Sequence, residues 1–161
     1  MSIATRRRIP EVRAIFITPT PAGAMKSVQH VEAVAGKGLK GDRYGESVGT
    51  FSDRESPARQ VSFIEEEAIE AIARDQKIVI DPSESRRNVL TRGAALNHLV
   101  GREFRVGSVR LRGVKLCEPC SHLERLTGRE GIVAALTHRG GLNAEVLAGG
   151  TICIGDEIVV E

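Results

Sequence analysis

Two cysteines three positions apart are the residues best suited to chemistry in this chain. They occur in the run Cys117-Glu-Pro-Cys120, directly after a segment that alternates like a β-strand. The thiolate is the reactive form of cysteine, and Cys-x-x-Cys spacing, a helix N-terminus and nearby cations favour it. A short helix predicted to start near Ser121 would place its N-terminus at Cys120. The pattern is typical of redox thiols, metal knuckles, sulfur carriers and buried, inert cysteines.

A structural zinc site is the main competing interpretation of these cysteines. Together with His122 and His138 they would supply four ligands of the types that zinc prefers. Structural zinc sites usually pair two knuckles, and the sequence contains only one. The zinc knuckle is therefore kept as an alternative.

A glycine-rich stretch over residues 36–41, Gly-Lys-Gly-Leu-Lys-Gly, has the spacing of a dinucleotide-binding loop. That loop must open a helix, whereas Asp-Arg-Tyr-Gly follows here, so the dinucleotide interpretation is rejected. Glycines still let backbone N–H groups face an anion, and Lys37, Lys40 and Arg43 add positive charge. The stretch is predicted either to bind a phosphate-like anion or to be a solvated turn.

The run Arg86-Arg87-Asn88 is a second candidate anion site. Arginine binds phosphate or carboxylate through its planar fork, and asparagine offers a donor and an acceptor to the edge of a heterocycle. Surface arginines at the end of a loop are the alternative. His30 and His98 stand alone, and each is expected at the surface or hydrogen-bonded in the core.

Short strands dominate the elements that must position these residues. Strands are predicted for the following segments: 11–18, 27–35, 60–64, 89–91, the hairpin 102–117 and three short strands within 144–160. The clearest helix covers residues 65–74, where alanine and isoleucine recur at helical spacing. A helical turn is predicted over 95–100 and one or two short helices within 121–137. Residues 36–59 form a long loop, and long ordered loops are often functional.

The predicted fold is mainly β: an antiparallel β-barrel with a few short helices, in a single domain. The strands do not alternate regularly with helices, which argues against a doubly wound α/β sheet, and many short strands favour a barrel. We assign residues 1–10, with Arg6, Arg7 and Arg8, to an N-terminal tail and residues 11–161 to the domain. Cys153 is predicted to lie in the core.

Composition excludes several classes of protein. The 161 residues carry 23 basic and 21 acidic side chains, a formal charge of +2, which does not suggest a nucleic-acid binder. No apolar run approaches the ~20 residues needed to cross a bilayer, and the N-terminus lacks the apolar stretch of a secretory signal. An odd number of cysteines argues against a disulfide framework, so the cytoplasm is the expected compartment. No membrane or nucleic-acid partner is expected.

The order of these pieces resembles the MOSC domain, which is named for the C-terminal domain of molybdenum-cofactor sulfurases. The series that carries the resemblance is as follows: Gly41-Asp42-Arg43, Arg87-Asn88, the hairpin with Gly107, Cys117-Glu-Pro-Cys120, Arg139-Gly140-Gly141 and Gly150 to Asp156. It covers the chain roughly from residue 11 to its end. The resemblance implies a mainly β-barrel protein that handles sulfur or the molybdenum cofactor.

By this resemblance, Cys120 corresponds to the cysteine that precedes a helix in the family. In sulfurases that cysteine is thought to carry sulfane sulfur, and in the related amidoxime-reducing enzymes it ligates molybdenum. The resemblance implies that Cys120 is catalytic and is the metal ligand, and that further residues line the cofactor or anion pocket. Those further residues are Asp42, Arg43, Arg87, Asn88 and Arg139. Cys117 is predicted to assist catalysis by exchange with a persulfide or disulfide on Cys120. Tyr44 departs from the histidine often found after Gly-Asp-Arg.

The resemblance also implies cofactors and partners. Molybdenum cofactor (molybdopterin) is the expected cofactor; pyridoxal phosphate is linked to the family but is not expected in this chain alone. A cysteine desulfurase or a molybdoenzyme is the expected partner. An electron-donor protein takes that place if the chain is a reductase component for N-hydroxylated compounds. Three hypotheses remain open: an enzyme acting through Cys120, a non-catalytic cofactor carrier, and a barrel with a structural zinc knuckle.

Overall fold

The computed structural model describes residues 8–52 and 56–161. Within them the chain forms the following strands: β1 (Glu11–Ile17), β2 (Lys26–Val28), β3 (His30–Val34), β4 (Gly38–Leu39), β5 (Val61–Glu65), β6 (Val89–Arg92), β7 (Glu103–Val106), β8 (Val109–Leu116), β9 (Leu142–Ala148), β10 (Gly150–Cys153) and β11 (Ile158–Val160). The helices are α1 (Glu66–Asp75), α2 (Ser121–Thr127) and α3 (Ile132–Leu136), with 3₁₀ turns at Pro57–Arg59, Pro82–Ser85 and Leu96–Leu99. Arg6 and Arg7 of the predicted tail lie outside the described residues, and Arg8 is exposed.

The elements agree closely with the sequence-based expectations. The segment predicted as one strand over 27–35 is divided between β2 and β3 at Gln29, and the long loop contains the short strand β4. Residues 77–80, between α1 and the 3₁₀ turn at Pro82–Ser85, are irregular, with Ile80 buried. Cys153 is half-buried in β10 rather than in the core, so that expectation was wrong.

The strands form two sheets. The larger has the order β11-β7-β8-β9-β5-β6-β1-β2, and the smaller has the order β10-β3-β4. All pairs are antiparallel except β5 and β6, which run parallel and are joined through α1. The mainly β fold with few helices is confirmed for the described residues.

A closed antiparallel barrel is not confirmed, because the larger sheet ends at β11 on one side and at β2 on the other. The start of β1 does approach the segment before β11: the Val12 N–H donates to the Asp156 carbonyl at 2.9 Å, and the Gly155 N–H donates to the Val12 carbonyl at 2.8 Å. This contact amounts to one isolated bridge, between Glu11 and Glu157. β11 has only three residues, and all three pair with β7, so no continuous ladder closes the sheet.

Apolar side chains pack on both faces of the larger sheet. Successive strand residues point to opposite faces, and the neighbours Phe63 and Ile64 of β5 therefore enter different clusters. Phe63 packs edge-to-face on Phe104, with ring centroids 5.6 Å apart, in the cluster shared with the small sheet. Ile64 packs in the cluster that includes the buried residue Ile72 of α1 and residues of α2 and α3. No helix in the described part of the chain is long and apolar enough to span a membrane.

Candidate functional site

A cavity of about 220 Å³ lies on the helix-bearing face of the larger sheet. Its lining comes from β5, β8 and β9, from the loop after β4, from the turn before β6 and from the start of α2. Five of the seven predicted site residues lie in this lining: Arg43, Arg87, Asn88, Cys117 and Cys120. Asp42 and Arg139 are not part of the lining.

The two cysteines flank a turn that leaves the end of β8. The Cys117 N–H donates to the Gly141 carbonyl at 2.8 Å, which prolongs the pairing of β8 with β9 by one residue. Cys120 is exposed and immediately precedes α2, whose predicted start near Ser121 is confirmed. Cys117 is half-buried. The cavity lining therefore contains two thiols that differ in their exposure to solvent.

Arg87 holds the cysteine turn in place. Its guanidinium is buried and donates to three backbone carbonyls: Gly140 at 2.8 Å, Cys117 at 2.9 Å and Ser85 at 3.3 Å. A guanidinium has five N–H donors, and three of its nitrogens are used in these bonds. The geometry thus makes Arg87 a positioning residue for Cys117, in addition to any contact with an anion.

Asn88 is also occupied by internal hydrogen bonds. Its Oδ1 accepts from the Ser62 N–H at 3.0 Å and from the Ser62 hydroxyl at 3.2 Å, and its Nδ2 donates to the Phe16 carbonyl at 3.1 Å. The side chain is buried between β5 and β1. The residue type suggested that Asn88 binds the edge of a heterocycle. Such binding would compete with these internal hydrogen bonds.

Asp42 lies behind the cavity and orients Arg43. Its carboxylate is fully buried and accepts from the Arg43 Nη1 at 3.0 Å, from the Thr18 N–H at 3.2 Å and from the Tyr44 N–H at 3.3 Å. The Arg43 guanidinium also lies over the Tyr44 ring, 4.6 Å from its centroid. The glycine stretch is thus followed directly by the buried ion pair of Asp42 and Arg43. Neither lysine of that stretch lines the cavity: Lys40 pairs with Glu32 at 3.7 Å, and Lys37 lines a neighbouring groove.

Arg86 lines the cavity, although the resemblance implies a pocket role only for its neighbours Arg87 and Asn88. It is in the left-handed region, with φ of 63°, and its Nη1 donates to the Gly23 carbonyl at 2.6 Å. Its Nη2 is buried and has no hydrogen-bond partner among the described residues. Burial, and then the nearby Arg43 guanidinium, lower the pKa of Arg86 below its usual value. The Arg-Arg-Asn run signalled a basic site, but only the backbone geometry decides which arginine faces the cavity with an unused donor.

His122 lies in the cavity lining at the first turn of α2. Its ring meets the Phe51 ring edge-to-face, with centroids 5.6 Å apart. Burial is the largest cause of a lowered His122 pKa, followed by the charges of Arg86, Arg125 and Arg43. The imidazole therefore adds no further positive charge beside the arginines at neutral pH.

The predicted zinc ligands do not assemble. Among residues 8–52 and 56–161, no three His, Cys, Asp or Glu side chains are placed to hold one metal ion. His138 instead faces Glu118: its Nδ1 lies 3.5 Å from a carboxylate oxygen. Cys117, Cys120 and Cys153 all carry free thiols. A four-ligand knuckle at this turn is thus not supported.

Arg139 points away from the cavity. Its Nε donates to the Ala135 carbonyl at 2.8 Å, and its Nη2 donates to the Gln76 side chain at 3.1 Å. These bonds connect the end of α3 to the end of α1. The structure therefore does not bring Arg139 to the other predicted site residues.

The cavity has an excess of positive charge. Its basic side chains are the following: Arg43, Arg59, Arg86, Arg87 and Lys115. The one carboxylate in the described lining is that of Glu118, which is bonded to the His138 N–H at 2.9 Å. Asp42 offsets Arg43 from behind, whereas Arg86, Arg87 and Lys115 form no ion pair with a described residue. The arrangement is suited to holding an oxyanion beside two thiols.

A wider groove of about 800 Å³ adjoins the cavity and shares Tyr44 and Arg59 with it. Pockets for drug-sized ligands occupy about 300–1,000 Å³, so the cavity alone fits a smaller group. A ligand that exceeds the cavity can extend past Tyr44 and Arg59 into the groove.

Comparison with known proteins places this fold. The family model of the MOSC domain matches residues 39–159. The YuaD protein from Bacillus subtilis superposes with a TM-score of 0.79 at 20% identity, covering 96% of this chain and 97% of that chain. YiiM from Geobacillus stearothermophilus superposes with a TM-score of 0.71 at 13% identity, covering 94% of this chain and 75% of that chain. YiiM from Escherichia coli superposes with a TM-score of 0.67 at 18% identity, covering 94% of this chain and 69% of that chain. At these identities the structures establish the fold alone. No curated protein sequence matches the chain.

Proposed function

The chain belongs to the MOSC domain family, and on that premise we propose that it is a cytoplasmic protein that binds the molybdenum cofactor in the basic cavity, with Cys120 as the thiolate ligand of the metal. The observation that carries the proposal is the Arg86 Nη2, a buried cationic donor with no partner among the described residues. A buried, unpartnered donor costs about 1–3 kcal/mol, and more when it is charged. A phosphate oxygen would supply the missing acceptor.

The residues present fit such a cofactor. Guanidinium groups bind phosphate by charge-assisted hydrogen bonds, and the Arg43 charge lies close enough to Arg86 to act on it. Soft thiolates suit metal–sulfur chemistry, and Cys120 is the exposed thiol in the lining. Arg43 and Arg86 would hold the phosphate, and Cys120 would hold the metal.

When bound, the cofactor would supply a redox-active metal centre. The chain's own residues supply binding and orientation. Asp42 fixes the Arg43 guanidinium through a 3.0 Å contact. Arg87 fixes the turn between the two cysteines through the Cys117 carbonyl. The open groove beside Tyr44 and Arg59 leaves room for the remainder of the cofactor or for a substrate.

A second candidate function is sulfur transfer, and the exposure of Cys120 favours it. In this reaction the Cys120 thiolate attacks the terminal sulfur of a donor persulfide, such as that of a cysteine desulfurase. A new S–S bond forms on Cys120, the S–S bond of the donor breaks, and the donor leaves as a thiolate. The step needs no oxidant, since one S–S bond replaces another.

The test is the metal and sulfur content of protein purified from cells that make the cofactor. We expect molybdenum in the wild type, its loss in Cys120→Ser and a marked reduction in Arg86→Ala. Cys153→Ser and Arg129→Ala are the matched controls, because Cys153 lies in β10 and Arg129 is exposed outside the cavity. Wild-type levels of molybdenum in Cys120→Ser would contradict the proposed ligand. An added sulfur mass on the wild type, absent from Cys120→Ser and without molybdenum, would favour sulfur transfer instead.

A further inference from the structure

Two polar side chains lie next to each other on the floor of the cavity. Lys115 of β8 is the direct partner of Asn143 of β9, and Asn143 is in turn the partner of Ser62 of β5. Directly opposed residues of antiparallel strands point to the same face, with Cβ atoms about 4.5–5.5 Å apart. All three residues line the cavity. The floor is therefore a polar row that crosses three neighbouring strands.

The members of this row differ in whether their hydrogen bonds are already made. The Ser62 hydroxyl donates to the Asn88 Oδ1 at 3.2 Å and accepts from the Asn88 N–H at 3.1 Å. Within the described part of the chain, the Asn143 amide and the Lys115 ammonium have neither a hydrogen-bond partner nor an ion pair. Asn143 is half-buried, so its amide is held at the cavity floor with its donors and acceptor available.

The floor also lies beside the cysteine turn. Cys117 follows Lys115 by two residues, and the Cys117 N–H continues the pairing with β9. Residues two apart on an extended strand point to the same face. A group bound at Lys115 and Asn143 is therefore held next to the turn that carries both thiols.

We propose that Asn143 and Lys115 recognise the N–H/C=O edge of a bicyclic lactam heterocycle, the chemical class to which pterins belong. The Lys115 ammonium donates to the ring carbonyl oxygen, and the Asn143 Oδ1 accepts from the adjacent ring N–H. The sequence suggested this role for Asn88. However, the Asn88 Oδ1 already accepts a hydrogen bond from Ser62, and its Nδ2 already donates one to the Phe16 carbonyl. Asn143 is the amide in the described lining whose groups are unused. The inference rests on the proposed function, since the heterocycle is that of the proposed cofactor.

The experiment uses 6-hydroxymethylpterin, an uncharged probe without phosphate or metal, and follows its fluorescence during titration with the full chain. Asn143→Ala and Lys115→Ala should each weaken binding about tenfold, the loss expected for one hydrogen bond in a partly enclosed site. Asn97→Ala and Lys26→Ala, outside the cavity, should bind as the wild type does.

A second probe separates recognition from a change in cavity shape. A pterin methylated at the ring N–H should bind the wild type about tenfold more weakly than the parent compound does, and it should lose little further affinity in Asn143→Ala. A thermal unfolding curve for each variant checks that the fold is intact. Equal affinity of the parent pterin for the wild type and for both floor variants would overturn the inference, as would an absence of binding to the wild type.

The outcomes also separate this inference from the proposed function. Molybdenum bound by the wild type, together with unchanged pterin binding in the floor variants, would overturn the inference and leave the proposed function standing. Pterin binding that depends on Asn143 and Lys115, in a protein that never carries molybdenum, would support the inference about the floor and contradict the proposed cofactor.

Discussion

Two arginines of the cavity differ in how their charge is balanced. Arg43 is buried and has the carboxylate of Asp42 at 3.0 Å. Arg86 has one carbonyl partner, Gly23, and a buried nitrogen without a partner among the described residues. A buried charge that loses its counter-ion is strongly destabilising. Asp42 is therefore expected to contribute to the stability of the fold. Arg86 is expected to have a hydrogen-bond donor, its Nη2, available for a ligand.

The stability contribution of Asp42 is testable by Asp42→Asn. The substitution keeps the shape, removes the charge that faces Arg43 and places an amide donor near a backbone N–H. We expect the free energy of unfolding to fall by about 3 kcal/mol, as for removal of one partner of a buried ion pair, measured by urea denaturation. Glu32→Gln is the control, because its pair with Lys40 is exposed and should contribute less than about 1 kcal/mol. Equal losses in the two variants would contradict this interpretation.

Residue type predicted the location of the site better than it predicted each side chain's task. Arg87, Asn88 and Cys117 do line one cavity with Cys120. Yet Arg87 and Asn88 direct most of their polar atoms at neighbouring protein groups. Sequence spacing cannot distinguish a donor that faces a ligand from one that faces a carbonyl, because the carbonyl comes from a segment that is distant in the chain.

At the scale of elements, the cysteine turn depends on how closely β5 and the start of β9 approach. Gly141 has φ of +118°, and a Cβ built there would lie 1.9 Å from the Phe63 carbonyl oxygen. The Gly141 carbonyl also accepts the Cys117 N–H. The resemblance implied that Arg139 of the Arg139-Gly140-Gly141 run lines the anion pocket, whereas the structure uses the two glycines of this run for close backbone packing.

Gly141→Ala tests this packing. We expect a loss of about 3 kcal/mol or more, because left-handed strain and a backbone overlap add together, with reduced soluble yield as the first sign. Gly101→Ala is the matched control: its φ is +77° but nothing lies within 4 Å of the added Cβ, so the cost should be about 1 kcal/mol. If thermal unfolding shows the same change in both variants, the close approach is not what requires glycine at position 141.

At the scale of the whole molecule, strand content was predictable and closure was not. Alternation identified the hairpin of β7 and β8, and the apolar spacing identified α1. Barrel closure depends on whether the last strand pairs with the first. Here Ile158–Val160 pairs with β7, and only one bridge reaches β1. That outcome depends on the pairing of three residues at one edge of the sheet. Hydrophobic periodicity in the sequence does not indicate which strand they pair with.

An ion-pair network across β7, β8 and β9 predicts how stability depends on pH. Glu103 of β7 bonds Arg110 and Arg112 of β8, and Arg112 also reaches Glu145 of β9 at 3.2 Å. The hydrogen bond from Arg110 is the largest cause that holds the pKa of Glu103 below its ordinary 4.5. The unfolded chain then binds the proton more readily, so this contribution is present above the unfolded pKa and is lost as pH falls through the folded pKa.

We therefore expect the free energy of unfolding to decrease between about pH 7 and about pH 3, and Glu103→Gln to remove part of that decrease. Urea denaturation at both pH values measures the difference. Glu130→Gln, an exposed glutamate with no ion pair in the described part of the chain, is the control. An identical pH dependence in wild type and Glu103→Gln would show that the network across the three strands contributes nothing.

The order of the strands in the sheet determines how late in folding the cavity can form. The cavity combines Arg43 from an early loop, Ser62 from β5 and Asn143 from β9. β9 is synthesised late, yet it lies in the middle of the sheet, between β8 and β5. Pairings between distant segments form slowly because they close long loops. The cavity can therefore form only after β9 has paired with β5 and β8, although both cysteines are already present in the nascent chain.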